Sequence, residues 1–320
     1  ISTILYSMMF FGLFVTYRVI LNTGRIDLFD YKNVLKLVIY CYFITLVIQQ
    51  FSVLLGLPIF NENAYYLQSP WKLNSLASEP AVAGKVLSVL MFSFVLMNKY
   101  DNRYPLESKS FKSESRFVWV AFTWCMLSMG SGTAVLFFLP VLLVAISSQR
   151  AFVAVGLVTL IFPFLFFLGL LDRPILFLQS LASGDIEYIL AVDASAALRI
   201  LPQFIIATNV EFFSLSGLFG QGVDYSGKLL HEILPMLEEG TVGGGMFQIW
   251  LEYGFIAFVI FSAYSFSVCV SRAHKLSAFF WFMLVFMYGI NNSIVWLTIV
   301  LLSTNKYFIQ RHINSSPTLN

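Results

Sequence analysis

FVWVAFTWCMLSMGSGTAVLFFLPVLLVAIS, Phe117–Ser147, is an apolar run with a polar, turn-like string, SMGSGT (Ser128–Thr133), at its middle. About 20 residues at about 1.5 Å each cross the roughly 30 Å of bilayer hydrocarbon, so this run is too long for one plain span. Its reading as two arms folded around the glycines makes each arm short, about 13 to 15 residues. It also requires protein or water to cover the polar groups at the bend. A run that enters and returns leaves both of its flanks on one side.

Outward from this stretch, further apolar runs occupy 1–21, 34–57, 80–97, 151–171, 244–268 and 277–304. The last is interrupted by GINNS, Gly289–Ser293, and reads as a second pair of short segments. The chain therefore has seven to nine membrane segments. With 58% hydrophobic and 11% charged residues, the composition excludes an ordinary soluble protein. A net charge of +2 gives no basic surface for nucleic acid. Cys41, Cys125 and Cys269 lie inside apolar runs without paired or metal-like spacing. The expected fold is all-α, a polytopic integral membrane helical bundle with a long extracytoplasmic helical loop, 1–320 forming one membrane domain. With Ile1 rather than Met at its start, the chain is expected to lack one or more N-terminal spans.

Charge sets the sidedness. The connection 98–116 carries Lys99, Arg103, Lys109, Lys112 and Arg116, as a cytoplasmic loop does. Arg150, the turn Arg272–Lys275 and the tail with Lys306 and Arg311 join it if both interrupted runs return. Residues 58–79 and 172–243 then face outward. The second of these is too long for a plain connector. It reads as an amphipathic helix over 185–213 with a break at Pro202, then the glycine string SGLFGQG (Ser216–Gly222), then a helix-like piece from about Lys228 to Glu239. Such pieces form a platform over the spans.

Several residues here bear chemistry. Arg199, with Asp193 and Ser195 nearby in sequence, offers a guanidinium suited to phosphate or pyrophosphate, or else an interfacial arginine that snorkels. His231, beside Glu232, is the natural proton carrier of the outer loop, although a surface histidine is more often structural. Glu79 precedes Pro80 at the start of a span and serves equally as a base or as part of a helix cap. Glu252 lies about 12 Å into an apolar helix, which is costly unless it faces protein or water; an outer-loop hydrogen bond is its structural alternative. Lys85 and Arg18, near span ends, read as snorkelling cations. GVDYSGKL (Gly222–Leu229) only superficially matches a phosphate loop, because Leu229 stands where Ser or Thr is required. With one histidine per region, a three-ligand metal centre has little support.

Taken in order, Ser78–Glu79–Pro80, the SMGSGT turn, Asp193–Ser195–Arg199, Gly220 and Gly222, His231–Glu232 and Glu252–Tyr253–Gly254 resemble the bacterial O-antigen and exopolysaccharide polymerases, a superfamily that also contains the O-antigen ligases. The resemblance covers roughly 70–270 and rests on order and spacing rather than on any one motif. It implies a lipid-linked-oligosaccharide-dependent glycosyltransferase that polymerises glycan repeat units carried on undecaprenyl pyrophosphate. The site would face the periplasm or exterior of the bacterial cytoplasmic membrane. A flippase and a chain-length regulator would be its partners, with no cofactor and no metal. It implies Arg199 as pyrophosphate ligand, with Lys228, Arg173 or Lys72 completing a clamp in which SMGSGT lacks the arginine relatives carry. The base stays open among Glu79, His231 and Glu252, with Asp193, Ser195, Glu232, Gly220 and Gly222 in support. A ligase of the same superfamily, a polysaccharide flippase or transporter, and a non-catalytic envelope scaffold are the alternatives.

Overall fold

The computed structural model describes residues 2–61, 71–100, 109–145, 172–210, 214–235 and 244–315. Among them the regular structure is helical: α1 (Ser2–Asn22), α2 (Leu28–Leu55), α3 (Pro80–Lys99), α4 (Lys109–Ser128), α5 (Gly132–Ala145), α6 (Asp172–Ser183), α7 (Ile186–Thr208), α8 (Leu215–Phe219), α9 (Tyr225–Ile233), α10 (Gly245–Cys269), α11 (Leu276–Trp281) with a π-helical turn at Phe282–Phe286, and α12 (Ser293–Ser315). Four of these are long and apolar enough to cross a membrane: Leu5–Asn22, Leu28–Leu55, Pro80–Lys99 and Gly245–Cys269. Gly132–Val144 and Leu276–Phe286 are apolar but shorter. The expected span at 151–171 lies outside the described residues.

The chain divides into two compact units, one of 1–15 and 148–299, the other of 16–147 and 300–320. In the second unit α3 is the centre, buried along almost its whole length. Gly84 lets α5 approach closely, since a Cβ there would sit 2.7 Å from the Ala134 Cβ. At the far end of the same two helices, the Lys99 Nζ donates to the Val144 carbonyl at 2.7 Å. α3 and α5 therefore run parallel. α4 links them in the chain and runs the opposite way, packed beside α2, with Phe122 and Phe138 rings 5.5 Å apart across the bend. The run 117–147 thus splits where its glycine stands, with Gly130 at φ 60° in the turn. The turn lies at the same end of this unit as Pro80, the start of α3.

Polar side chains fix the rest of the unit. Gln49 of α2, fully buried, donates to the Phe60 carbonyl (2.7 Å) and accepts from the Ser75 amide (2.8 Å). Asn61 donates to the Ser75 and Ala77 carbonyls, both at 2.8 Å. These bonds hold the described parts of the 58–79 connection against α2 just before Glu79. At the opposite end, Asn305 of α12 donates to the Ser93 hydroxyl (2.9 Å) and accepts from the Tyr31 hydroxyl (3.1 Å), joining three helices through one buried amide. The structure changes two sequence expectations here. Lys85 does not snorkel: it is 5% exposed, on a helix with no outward face. The tail expected after residue 304 continues α12 to Ser315, because Asn305, Phe308 and Ile309 keep one face of that helix buried.

In the first unit, Phe10, Phe11 and Phe14 surround Trp296 with ring centroids 6.3–6.4 Å away. A separate core joins α6, α7, α9 and α10 through Phe177, Ile189, Leu201, Leu230 and Trp250. The run 277–304 breaks around its asparagines: Asn292 caps α12 by accepting from the Ile294 amide at 3.0 Å. The Pro202 break does not occur. α7 continues through Pro202, and the non-helical residue is Asp193 (φ −154°, ψ 87°), whose carboxylate accepts from the Ala196 amide at 3.0 Å. A residue that supplies its own cap starts a new helical segment, whereas Pro202 is buried as an ordinary helix residue.

Gly84→Val should lower stability by about 1–3 kcal/mol by forcing α3 from α5, whereas Gly12→Val, at a glycine with open space around its Cβ, should change it by less than about 0.5 kcal/mol. Thermal unfolding of the detergent-solubilised protein measures both.

Candidate functional site

The first unit gathers several of the sequence-singled residues around a flaw in α10. Gly254 has φ 90° and ψ 168°, which no helix residue adopts, so α10 is broken just past Glu252. Carbonyls beside a helix break need other donors. The Leu251 carbonyl takes the Gln221 amide at 2.8 Å and the Glu252 carbonyl takes the Gly222 amide at 3.1 Å. The glycine string thus closes the break.

Only glycine permits this contact. A Cβ on Gly220 (φ +84°) would overlap the Glu252 carbonyl, and one on Gly254 would overlap the Leu218 carbonyl. Trp250 adds a hydrogen bond from Nε1 to the Gly217 carbonyl at 3.1 Å. Ser214 caps α8 by accepting from the Gly217 amide at 2.9 Å. The two backbones are locked at their closest approach.

This clasp delivers α9 to Glu252. The Ser226 hydroxyl in its first turn donates to Glu252 Oε1, and Gln248, one turn earlier on α10, donates to the same oxygen at 3.1 Å. Glu252 is 2% exposed. Its second oxygen, Oε2, and Gln248 Oε1 are buried without a hydrogen-bond partner among the described residues. Asp224, at φ 65° before α9, adds a like charge nearby. The outer-loop hydrogen bond weighed as the structural alternative for Glu252 is present.

His231 stands elsewhere. Ser226 and Leu230 form the inward face of α9, while Lys228, His231 and Glu232, spaced three and four residues apart, share its exposed face. α9 therefore turns Ser226 to Glu252 and His231 to the surface. It spans Tyr225–Ile233, starting three residues before the expected Lys228. Asp193 is engaged as a helix cap. Ser195 and Arg199 follow it on α7, and Arg173 stands in the first turn of α6; the side chains of all three lie outside the described residues. Glu79 belongs to the second unit, partly exposed at the start of α3; Pro80 is the first helical residue, as expected, and the Glu79 carboxylate makes no capping bond.

Sequence reasoning missed Gln248 and Ser226. Gln248 had a signal, four residues before Glu252 on one helix face. Ser226 had none, because only the fold brings it across 26 residues. Among the described residues no group of three or more His, Cys, Asp or Glu side chains converges as a metal site. No family model, curated protein or solved structure matches this chain.

Gly220→Ala should free the string from α10 and cost about 2 kcal/mol or more, while Gly222→Ala, strained in φ but with open space at its Cβ, should cost about 1–2 kcal/mol. Limited proteolysis between α8 and α9, alongside thermal unfolding, distinguishes release of the clasp from general destabilisation.

Proposed function

We propose that this chain is a membrane-embedded glycosyltransferase that polymerises undecaprenyl-pyrophosphate-linked glycan repeat units at the outer face of the bacterial cytoplasmic membrane. The observation that carries the reading is the clasp between Gly220–Gly222 and Glu252–Gly254. Two stretches that enter the resemblance separately, about 30 residues apart, are one physical element, and it presents Lys228, His231 and Glu232 on an exposed face.

Sidedness follows from charge. In the second unit, Lys99, Lys306 and Arg311 stand towards the end where α3, α5 and α12 finish, the end marked by the Lys99–Val144 bond and the Tyr100–His312 ring contact of 5.3 Å. The excess of Lys and Arg supports reading that end as the cytoplasmic one. Glu79 and the SMGSGT turn then face outward.

In the reaction, a hydroxyl of the acceptor repeat attacks the anomeric carbon of the donor. The bond to pyrophosphate breaks, and undecaprenyl pyrophosphate leaves with the electron pair. The hydroxyl proton passes to a base. Exposure favours His231 for this role, since Glu252 is sealed and hydrogen-bonded and acts by holding α9 in place. Arg199, with Lys228 and Arg173, balances the charge on the departing pyrophosphate. Side-chain cations supply that charge without a metal being demanded.

Arg199→Ala and His231→Gln should each abolish long polymer, with losses of about 100-fold or more, while membrane abundance persists. Mass spectrometry of lipid-linked glycans, together with surface-polysaccharide sizing in host cells lacking the chain, tests the function itself. Single externally exposed repeats with loss of long chains support polymerisation. Long lipid-linked chains that fail to reach a final acceptor mean a ligase, repeats trapped inside mean a transporter, and unchanged pools remove glycan processing altogether.

A further inference from the structure

The break at Gly254 limits how deep α10 can sit in a membrane. The residues beyond it, Phe255–Cys269, lead into a turn whose exposed Arg272 and Lys275 hold that end at the membrane surface. These 15 residues cover about 22 Å at about 1.5 Å each, about 8 Å less than the hydrocarbon that α10 has to cross. The missing length is about five residues, which takes the crossing back to about Trp250. The segment packed on those five residues is α8. Trp250 donates to the Gly217 carbonyl, and the backbones of Leu218 and Phe219 stand against Gly254. With Gly217 turned to α10, Leu215, Leu218 and Phe219 are left outward, 77%, 38% and 68% exposed. Phe255 and Ile256, next along α10, are exposed as well.

We propose that α8 is embedded in the leaflet at the Gly245 end of α10, within about 8 Å of the hydrocarbon boundary, with Leu215, Leu218 and Phe219 against lipid acyl chains. Backbone at that depth has no water to bond, and the clasp meets this condition: the Leu251 and Glu252 carbonyls freed by the break are answered by Gln221 and Gly222. The stretch Ser214–Val223 carries no charge. Charges begin after it with Asp224, and Lys228 and Glu232 on the exposed face of α9 belong at the headgroups, where they stay hydrated. α8 is thus part of the membrane domain and not of a platform over it. The inference shares with the glycan reading only the crossing of the membrane by α10.

The test is spin-label accessibility in the full chain, one copy per nanodisc of phosphatidylethanolamine and phosphatidylglycerol, with Cys41, Cys125 and Cys269 replaced by alanine. Labels enter singly at Leu215→Cys, Phe219→Cys, Lys228→Cys and Ile260→Cys, the last at an exposed position midway along the crossing. Broadening by oxygen, which concentrates in hydrocarbon, should exceed that by a water-soluble nickel chelate at least about threefold at Leu215, Phe219 and Ile260, and the order should reverse at Lys228. An excess of nickel at Leu215 and Phe219 overturns the proposal; if Ile260 shows the same excess, the crossing of α10 falls with it. Little access to either reagent at Leu215 and Phe219 also overturns it, because protein and not lipid then covers α8. Hydroxyl-radical footprinting of the unsubstituted chain in the same nanodiscs gives a reading that needs no variant to fold. Radicals generated in water should modify Phe219 at least about threefold less than His231, although both are exposed, and equal modification overturns the proposal.

Discussion

Backbone amides and carbonyls in apolar surroundings must be paired within the protein, and the arrangement of the first unit depends on how one break in a helix meets that demand. At Gly254 the chain leaves helical geometry, and the carbonyls of Leu251 and Glu252 are answered by amides of Gln221 and Gly222. The break and the glycine string are therefore one device. A side chain at Gly220 or Gly254 would place carbon inside the facing backbone. The next helix, α9, with Ser226 on one face and His231 on the other, takes its position from this contact.

The second unit meets the same demand differently. Its helices are unbroken between turns, and polar side chains act at their ends and crossings. Asp27 caps α2 by accepting from the Asp30 amide at 2.7 Å, and Gly56 closes that helix in the left-handed region. Asn305 joins α12 to α2 and α3, and Gln49 ties down the approach to Glu79. A buried side-chain amide with donor and acceptor both used fixes the rotation of a helix more sharply than aliphatic contacts do.

These contacts separate two roles that the sequence left merged. Glu252 stands out in the sequence because a carboxylate inside an apolar helix is expensive. The fold resolves part of that cost with Ser226 and Gln248, which makes Glu252 an anchor of α9. His231 lies on the opposite, exposed face of α9 with Lys228 and Glu232.

Helix positions were largely legible in the sequence, because unbroken apolar runs about 20 residues long have few other solutions, and glycine or asparagine strings such as SMGSGT and GINNS mark where such runs bend. The sequence by itself determined the helical class, the bends near Gly130 and Asn292, and the start of α3 at Pro80. It misplaced the break in α7, because proline draws attention while the capping carboxylate of Asp193 looks like any other surface charge. Tertiary structure alone decided which glycine meets which backbone, that Ser226 reaches Glu252, and that His231 faces away. Periodicity reports which face of a helix is apolar, but not which distant segment supplies the donors that its interruptions require.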